Sequence, residues 1–523
     1  MTRVRLAVTI IFCLAFATGS PVQTSNHQPA ARFDSLSVDL QRSQSAAKAP
    51  ALPLPVPVPT PAYDPRSYIQ TPVGNSITVR AKPGEDLAAL INAAQTRNVA
   101  TVKITGGGSI TNQVRLRHHT VFDSSTYSCD TRGRDDNIAN NTNNSLWYGC
   151  FLVDDNVLVE GTWRPPVELD NFFANPSAVT LAKVQALTPH QLSGTGTTIL
   201  EPRFHTKLPS IAVFQSYQDA MSSQHEREAK NITIMGFHVV GRQPIYDGGI
   251  RQTITLGNCV NCAAIYNYLD NTRAIGIQFG GSAGSGKYAD HFLAWRNVFS
   301  RVASANIAVV NGENGLIAEN YSLKLGHKGF GGGISGFDLE TNGPDDHARN
   351  IWVMNSLFDY EGSSQESAGN AINLQAPGVN GITDGIYAVN NWIIGGRNDG
   401  LHRYMSNGIL MNAVNGVTIK NNYIYKTGQA AIQWYGAPQR TGTGSLIEDN
   451  WLDATGSGGT PSILLISVSG LTVRRNRFTL DPGTVFGTDQ RILDCSGSRN
   501  VFVDNRNGPT SIPALTSNCP KKR

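Results

Sequence analysis

The chain has 523 residues, with 43 Lys and Arg against 39 Asp and Glu; 16% of residues are charged, 40% are hydrophobic and 52 are glycine. Charge this sparse and balanced excludes a polybasic nucleic-acid binder, because phosphate recognition needs clustered cations and the one basic run is Lys521-Lys522-Arg523. It also excludes a largely disordered chain, which combines high net charge with few apolar residues.

Arg3 and Arg5 precede an apolar run, Leu6 to Ala17, and then the small residues Thr18, Gly19 and Ser20. This is the pattern of a signal peptide over residues 1–19, and the run is too short to span a bilayer. Export with no membrane span is therefore expected, to an extracellular or periplasmic location. It fits the six cysteines that remain, which form an even set suited to an oxidising compartment. Proximity pairs Cys129 with Cys150, Cys259 with Cys262, and Cys495 with Cys519. The Cys259-Val-Asn-Cys262 spacing also invites a redox or zinc reading, but no second such motif exists.

Residues 20–70 read as a Pro-rich disordered linker, and Ala51–Pro61 is a polyproline II stretch. Leu87, Leu90, Ile91 and Ala94 then fall at helical spacing, which predicts one amphipathic helix over 85–96. From Val99 onward short alternating strands are separated by Gly and Asn turns. A repeat of apolar-x-apolar-x-polar-x-x-apolar recurs about every 30 residues, starting at Ile232, Cys262, Phe292, Leu316, Ile351, Ile386, Val417, Ser445, Leu471 and Val501. Strand-only units of that length bury their apolar side only by stacking, so the fold expected is all-β, a single right-handed parallel β-helix over residues 71–510 with an N-terminal capping helix and a tail over 511–523. Asn320, Asn355, Asn390 and Asn421, at the turns, are candidates for hydrogen-bonded ladders.

This organisation resembles the pectate-lyase-like superfamily of secreted right-handed β-helix proteins, over roughly residues 77–507. The resemblance implies a polysaccharide lyase, glycoside hydrolase or uronate epimerase, with adhesins and phage tailspikes as further relatives. Activity has to be argued from the site.

Each coil carries a further strand whose inward pairs are Ile254/Leu256, Ile277/Phe279, Ile307/Val309, Phe337/Leu339, Ile372/Leu374, Ile409/Met411 and Ile432/Trp434. Alternation sends Gln278, Asp338, Glu340, Asn373, Gln375, Asn412, Gln433 and Tyr435 outward, as a polar stripe suited to glycan hydroxyls. Paired acids raise each other's pKa unless a cation lies between them. Asp338 and Glu340 are therefore candidates to hold Ca²⁺ with Asn373 or Gln375, to act as acid and base of an inverting hydrolase, or simply to be solvated.

The acid-x-acid strand resembles the calcium-binding pair of chondroitinase-B-like and alginate lyases, without the lysine expected shortly afterwards. Gly336-Phe337-Asp338 resembles part of the mannuronan epimerase motif, although Ser335, Leu339 and Glu340 replace its Tyr, Pro and His. Gly326-His327-Lys328 departs from the Gly-His-Gly of polygalacturonases at its third place. A base for β-elimination has candidates in His327, Lys328, His402 and Arg403, with Arg397 for substrate; Asp399 and Tyr404 lie in the same loop. The insertions 123–155 and 165–200 could wall the groove, with Trp147, Tyr148 and Trp163 stacking on sugars or packing beneath the loops. Gly280-Gly-Ser282-Ala-Gly284 spells a nucleophile elbow without the helix that must follow.

The sequence thus predicts an exported monomer acting on a polysaccharide, by β-elimination on a uronate-containing glycan ahead of hydrolysis, with Ca²⁺ as the candidate cofactor. The alternative is a non-catalytic glycan-binding or adhesive surface protein.

Overall fold

The structure, a computed structural model, describes residues 64–516 except 131–149, 175–182, 185, 195, 204–211, 221–226, 242–251, 273–274, 282–286, 303, 324–334, 342, 344–345, 361–368, 377–381, 396–406, 439, 456–459, 480–491 and 497–498. Within these bounds the chain winds through three sheets of 15, 14 and 13 strands, here the first, second and third in the order a coil visits them. The strand pairing among the described residues is parallel apart from one terminal hairpin, Arg506–Asn507 with Thr510–Ser511, and an isolated antiparallel bridge joins Ala437 and Arg440. This is the expected right-handed parallel β-helix. All ten repeat starts fall at strands of the first sheet, from Thr233–Met235 to Val501–Val503.

One continuous core runs up the inside. Its third-sheet lining is the row of paired residues read from the sequence, from Ile254 and Leu256 to Ile432 and Trp434. The helix Leu87–Ala94 closes the N-terminal end: Asp86 caps it by accepting a hydrogen bond from the Ala88 N–H, and Leu87, Ala88, Ile91 and Ala94 are buried. That arrangement covers strand edges that would otherwise template further pairing.

The asparagine ladder lies one residue away from most of the expected positions. Asn355, Asn390 and Asn421 adopt positive φ of 50°, 56° and 55° at the turn between the first and second sheets. Asparagine tolerates that left-handed conformation better than most residues. The buried ladder runs through Asn267, Asn297, Asn320, Ser356, Asn391, Asn422, Asn450, Asn476 and Asn505. Of the four candidates only Asn320 belongs to it.

Three further differences concern the edges of the coil. Pro65–Tyr68, inside the expected linker, forms a 3-10 turn, and Tyr68 and Ile69 pack on apolar residues of the first sheet. Ala514–Leu515 pairs with Ile492–Leu493, carrying the third sheet into the expected tail. The 165–200 insertion contains the helices Val167–Ala174 and Pro189–Ser193, which alternation-based reading missed. Leu169, Phe172 and Leu192 pack with Trp163 over Tyr268, Tyr321 and Trp392 of the second sheet. Trp163 is fully buried and donates to the Leu192 carbonyl at 2.8 Å, so it packs beneath the insertion and offers no ring to a sugar. Trp147 and Tyr148 lie outside the described residues.

Cys129 is bonded to Cys150 and Cys259 to Cys262, as expected. Cys495 is also in a disulfide, and its expected partner Cys519 lies outside the described residues. These bonds fit an extracellular protein. No helix among the described residues is long and apolar enough to cross a membrane.

Candidate active site

The site strand, Ser335–Glu340, lies in the third sheet between Ala305–Val309 and Asn370–Gln375. Phe337 and Leu339 are buried in the core, which turns Asp338 and Glu340 to the outer face. Gly336 has a packing reason: a Cβ there would collide with the Phe358 ring of the second sheet, so glycine lets the strand approach closely.

Register completes the stripe. Asp338 stands beside Asn373 and Glu340 beside Gln375; Asn373 is followed by Leu410 and Gln433, and Gln375 by Asn412 and Tyr435. Ala308 borders Asp338 on one side, while Leu464 and Ile466 follow Gln433 and Tyr435 on the other. The polar patch is therefore four coils long with apolar ends. Gln278 lies beyond Ala308, with its amide taken up by Gln252 at 2.8 Å and the Gly280 carbonyl at 3.2 Å. The structure separates it from the acids.

The stripe faces outward but is largely covered. Asp338, Glu340, Gln375 and Asn412 are half-buried, Asn373 and Gln433 are 5% and 6% exposed, and Tyr435 is 38% exposed. Asn373 Nδ2 donates to Asp338 Oδ1 at 2.7 Å, leaving its own buried Oδ1 without a hydrogen-bond partner. Gln433 Nε2 donates to the Tyr435 hydroxyl, and the buried Gln433 Oε1 is likewise unpartnered. Burial first, and the charge of Glu340 second, push the Asp338 carboxyl up to about 8, against the opposing pull of the Asn373 amide.

Sequence reasoning missed Arg440. It follows a tight turn after Tyr435, and its Nη1 donates to the carbonyls of Ala376 at 2.8 Å and Ala413 at 3.4 Å. Those carbonyls belong to the residues just after Gln375 and Asn412, so the guanidinium ties two coils together at the edge of the stripe. Its pKa is lowered by burial. Nothing in the strand pattern signals a side chain that folds back across two coils.

His327, Lys328, Arg397, His402 and Arg403 lie outside the described residues, as do Asp399 and Tyr404. Among the described residues no group of three or more His, Cys, Asp and Glu is gathered as a metal site. Toward Ca²⁺ the described residues offer the carboxyl groups of Asp338 and Glu340 with the side-chain amides of Asn373 and Gln375 beside them, and Asn373 Oδ1 has no hydrogen-bond partner.

No family model matches the sequence, and no curated protein matches it. Solved structures similar to this chain include a DFA-IIIase from Arthrobacter chlorophenolicus A6, at 10% identity over 85% of this chain and 99% of that one, with a TM-score of 0.45. Another is the A-module of mannuronan C-5 epimerase AlgE4 from Azotobacter vinelandii, at 11% identity over 80% and 91% of the two chains, with a TM-score of 0.38. Tailspike protein 3 of bacteriophage CBA120 is similar at 11% identity over 84% and 62%, with a TM-score of 0.39.

Proposed function

We propose that this chain is a polysaccharide-cleaving enzyme of acid–base type, with Asp338 as general acid and Glu340 as general base in a hydrolysis. The observation that carries the reading is the placement of Asp338 and Glu340 on the outer face of one strand, where burial and the neighbouring acid push the Asp338 carboxyl up to about 8. A neutral carboxyl at working pH is what a leaving-group oxygen needs from its proton donor. Residues two apart on one strand face stand about 6.5–7 Å apart, within the ~6.5–9.5 Å that leaves room for water in inverting glycosidases. Asp338 gives its proton to the glycosidic oxygen, and Glu340 takes one from the water that attacks the opposite face of the sugar. Asn373, Gln375, Asn412 and Gln433 supply amides for hydroxyls along the axis, and the half-exposed Tyr435 ring supplies a stacking surface. The working unit in this reading is a monomer.

β-Elimination on a uronate is the second reading. A protonated Asp338 also suits donation to the uronate carboxylate, with the α-proton going to a base among His327, Lys328, His402 and Arg403. Incubation with acidic and neutral glycans, with and without Ca²⁺ or chelator, separates the two. New reducing ends without absorbance at 235 nm support hydrolysis, and absorbance with reducing ends supports elimination. Asp338→Asn and Glu340→Gln should each abolish activity. Full retention in both removes the site assignment, and silence of the native protein across the panel favours a glycan-binding surface protein.

A further inference from the structure

Arginine is almost never fully buried unless it is paired, because a charge taken out of water has to be compensated. The arginines of this chain keep to that rule with one exception. Among the described residues Arg115, Arg296 and Arg474 are half-buried, and each meets a carboxylate at 2.6–2.8 Å: Asp154, Glu319 and Glu448 respectively. Arg440 is buried more deeply than these, at 7% exposed, and the groups it touches are neutral. Its Nη1 donates to the Ala376 and Ala413 carbonyls, while its Nη2 is buried with no hydrogen-bond partner. Burial lowers its pKa and no acid offsets the shift.

A second donor stands on the neighbouring coil. Glu340 pairs with Gln375 in the register, so Thr341 stands beside Ala376, and the Thr341 N–H donates to the Gln375 carbonyl at 3.1 Å. The Thr341 hydroxyl is fully buried and, like Arg440 Nη2, has no partner. Ala376 is thus flanked by a guanidinium that reaches back from the later coils and by a threonine on the earlier one. A cation and a hydroxyl that both lack acceptors are the complement of an oxyanion. Position ties the two donors to the stripe: Thr341 follows Glu340 directly, and Ala376 and Ala413 lie one and two coils, ~5 and ~10 Å, beyond the acid strand.

We propose that Arg440 and Thr341 take the anionic group, a carboxylate or a sulfate, of the sugar that follows the one held at the acids. The inference rests on the reading that a glycan lies along the stripe, and it adds that the glycan is charged. Nη2 donates to one oxygen of the group while Nη1 stays on the carbonyls, and the Thr341 hydroxyl donates to another. Both donors are shut away from water, so the pair forms where opposite charges attract strongly. A neutral sugar at the same place leaves the guanidinium uncompensated, which is how the site tells charged from neutral backbones.

Urea unfolding of the full chain in acetate or sulfate, against chloride at equal ionic strength, measures the site without any glycan. The bound anion should raise the folding equilibrium constant of the native protein about tenfold once it reaches about ten times its Kd. Arg440→Gln should lose that gain, and Thr341→Val, which leaves the carbonyl ties in place, should reduce it with the fold intact. A gain from acetate alone assigns a carboxylate, and one from sulfate alone a sulfate. The second arm uses Asp338→Asn, which leaves glycans uncleaved, in calorimetric titration with polygalacturonate and its methyl ester, and with a sulfated galactan and its desulfated form. The charged member of a pair should bind about thirtyfold more tightly, and adding Arg440→Gln should erase the difference. No gain from either anion, or a gain equal in native protein and Arg440→Gln, would overturn the site. An anion gain with no glycan bound would leave the anion site standing and sink the reading of the stripe.

Discussion

Asp338→Asn should make the protein more stable at alkaline pH while silencing it, and the size of the gain follows from the site. The unfolded carboxyl titrates at 3.8 and the folded one at about 8. Below 3.8 both states carry the proton and the group contributes no pH dependence. Between the two values the folded state binds a proton that the unfolded state has released, so stability falls as pH rises. About four pH units at about 1.4 kcal/mol each set a ceiling of about 6 kcal/mol, and water reaching the half-buried group reduces this to a few kcal/mol. Asparagine has no charge to bury and keeps a similar shape beside Asn373. Thermal or urea unfolding of native protein and variant from pH 4 to pH 9 measures the difference. The two curves should nearly coincide at pH 4 and diverge steadily to pH 8, with the variant ahead. A difference that stays flat across this range would mean that the carboxyl is already ionised, and the general-acid assignment would fall with it. Native glycan cleavage should in turn weaken above about pH 8 as the acid loses its proton.

Two other substitutions test the scaffold. Asn422→Ala removes hydrogen bonds to Ala388, Asn391 and Asn450 at 2.8–3.0 Å and strands buried backbone groups, which should cost about 3–5 kcal/mol by urea unfolding; Asn421→Gly, at the adjacent left-handed position, should be close to neutral. Trp163→Ala should lower stability by about 3–5 kcal/mol without changing cleavage per folded molecule, because the ring packs over the second sheet and the acids face out from the third.

The coil was legible because its signals are local and repeated. Alternation fixes which residues of each third-sheet strand point inward, and an apolar pair recurs in seven successive coils, so an error of phase in one strand would contradict its neighbours. The ladder was misplaced by one position because Asn-Asn pairs at 390–391 and 421–422 offer two candidates with the same side chain. Only backbone conformation distinguishes the residue that turns the chain from the one that stacks. The helical insertion was missed for a different reason. Its apolar residues answer to the outer face of the second sheet, a partner about a hundred or more residues away for Tyr268 and farther for Trp392, and a window of sequence holds no record of that contact.

The same distinction separates what was readable at the site from what was not. Asp338, Glu340, Asn373, Gln375, Asn412, Gln433 and Tyr435 were placed on one face by period alone, and register puts them there. Their covering is a tertiary property, and it alters the chemistry. An exposed acid pair would be a solvated surface feature, whereas burial beside Glu340 pushes the Asp338 carboxyl up. Arg440 shows the other side of this point. Sequence alone treats it as one more arginine after a turn, but its side chain reaches across two coils at the stripe's edge to the Ala376 and Ala413 carbonyls. Burial of a neutral carboxyl and of a guanidinium around unpartnered amide oxygens weakens the fold locally. A scaffold held by a continuous core and an asparagine ladder tolerates that weakness.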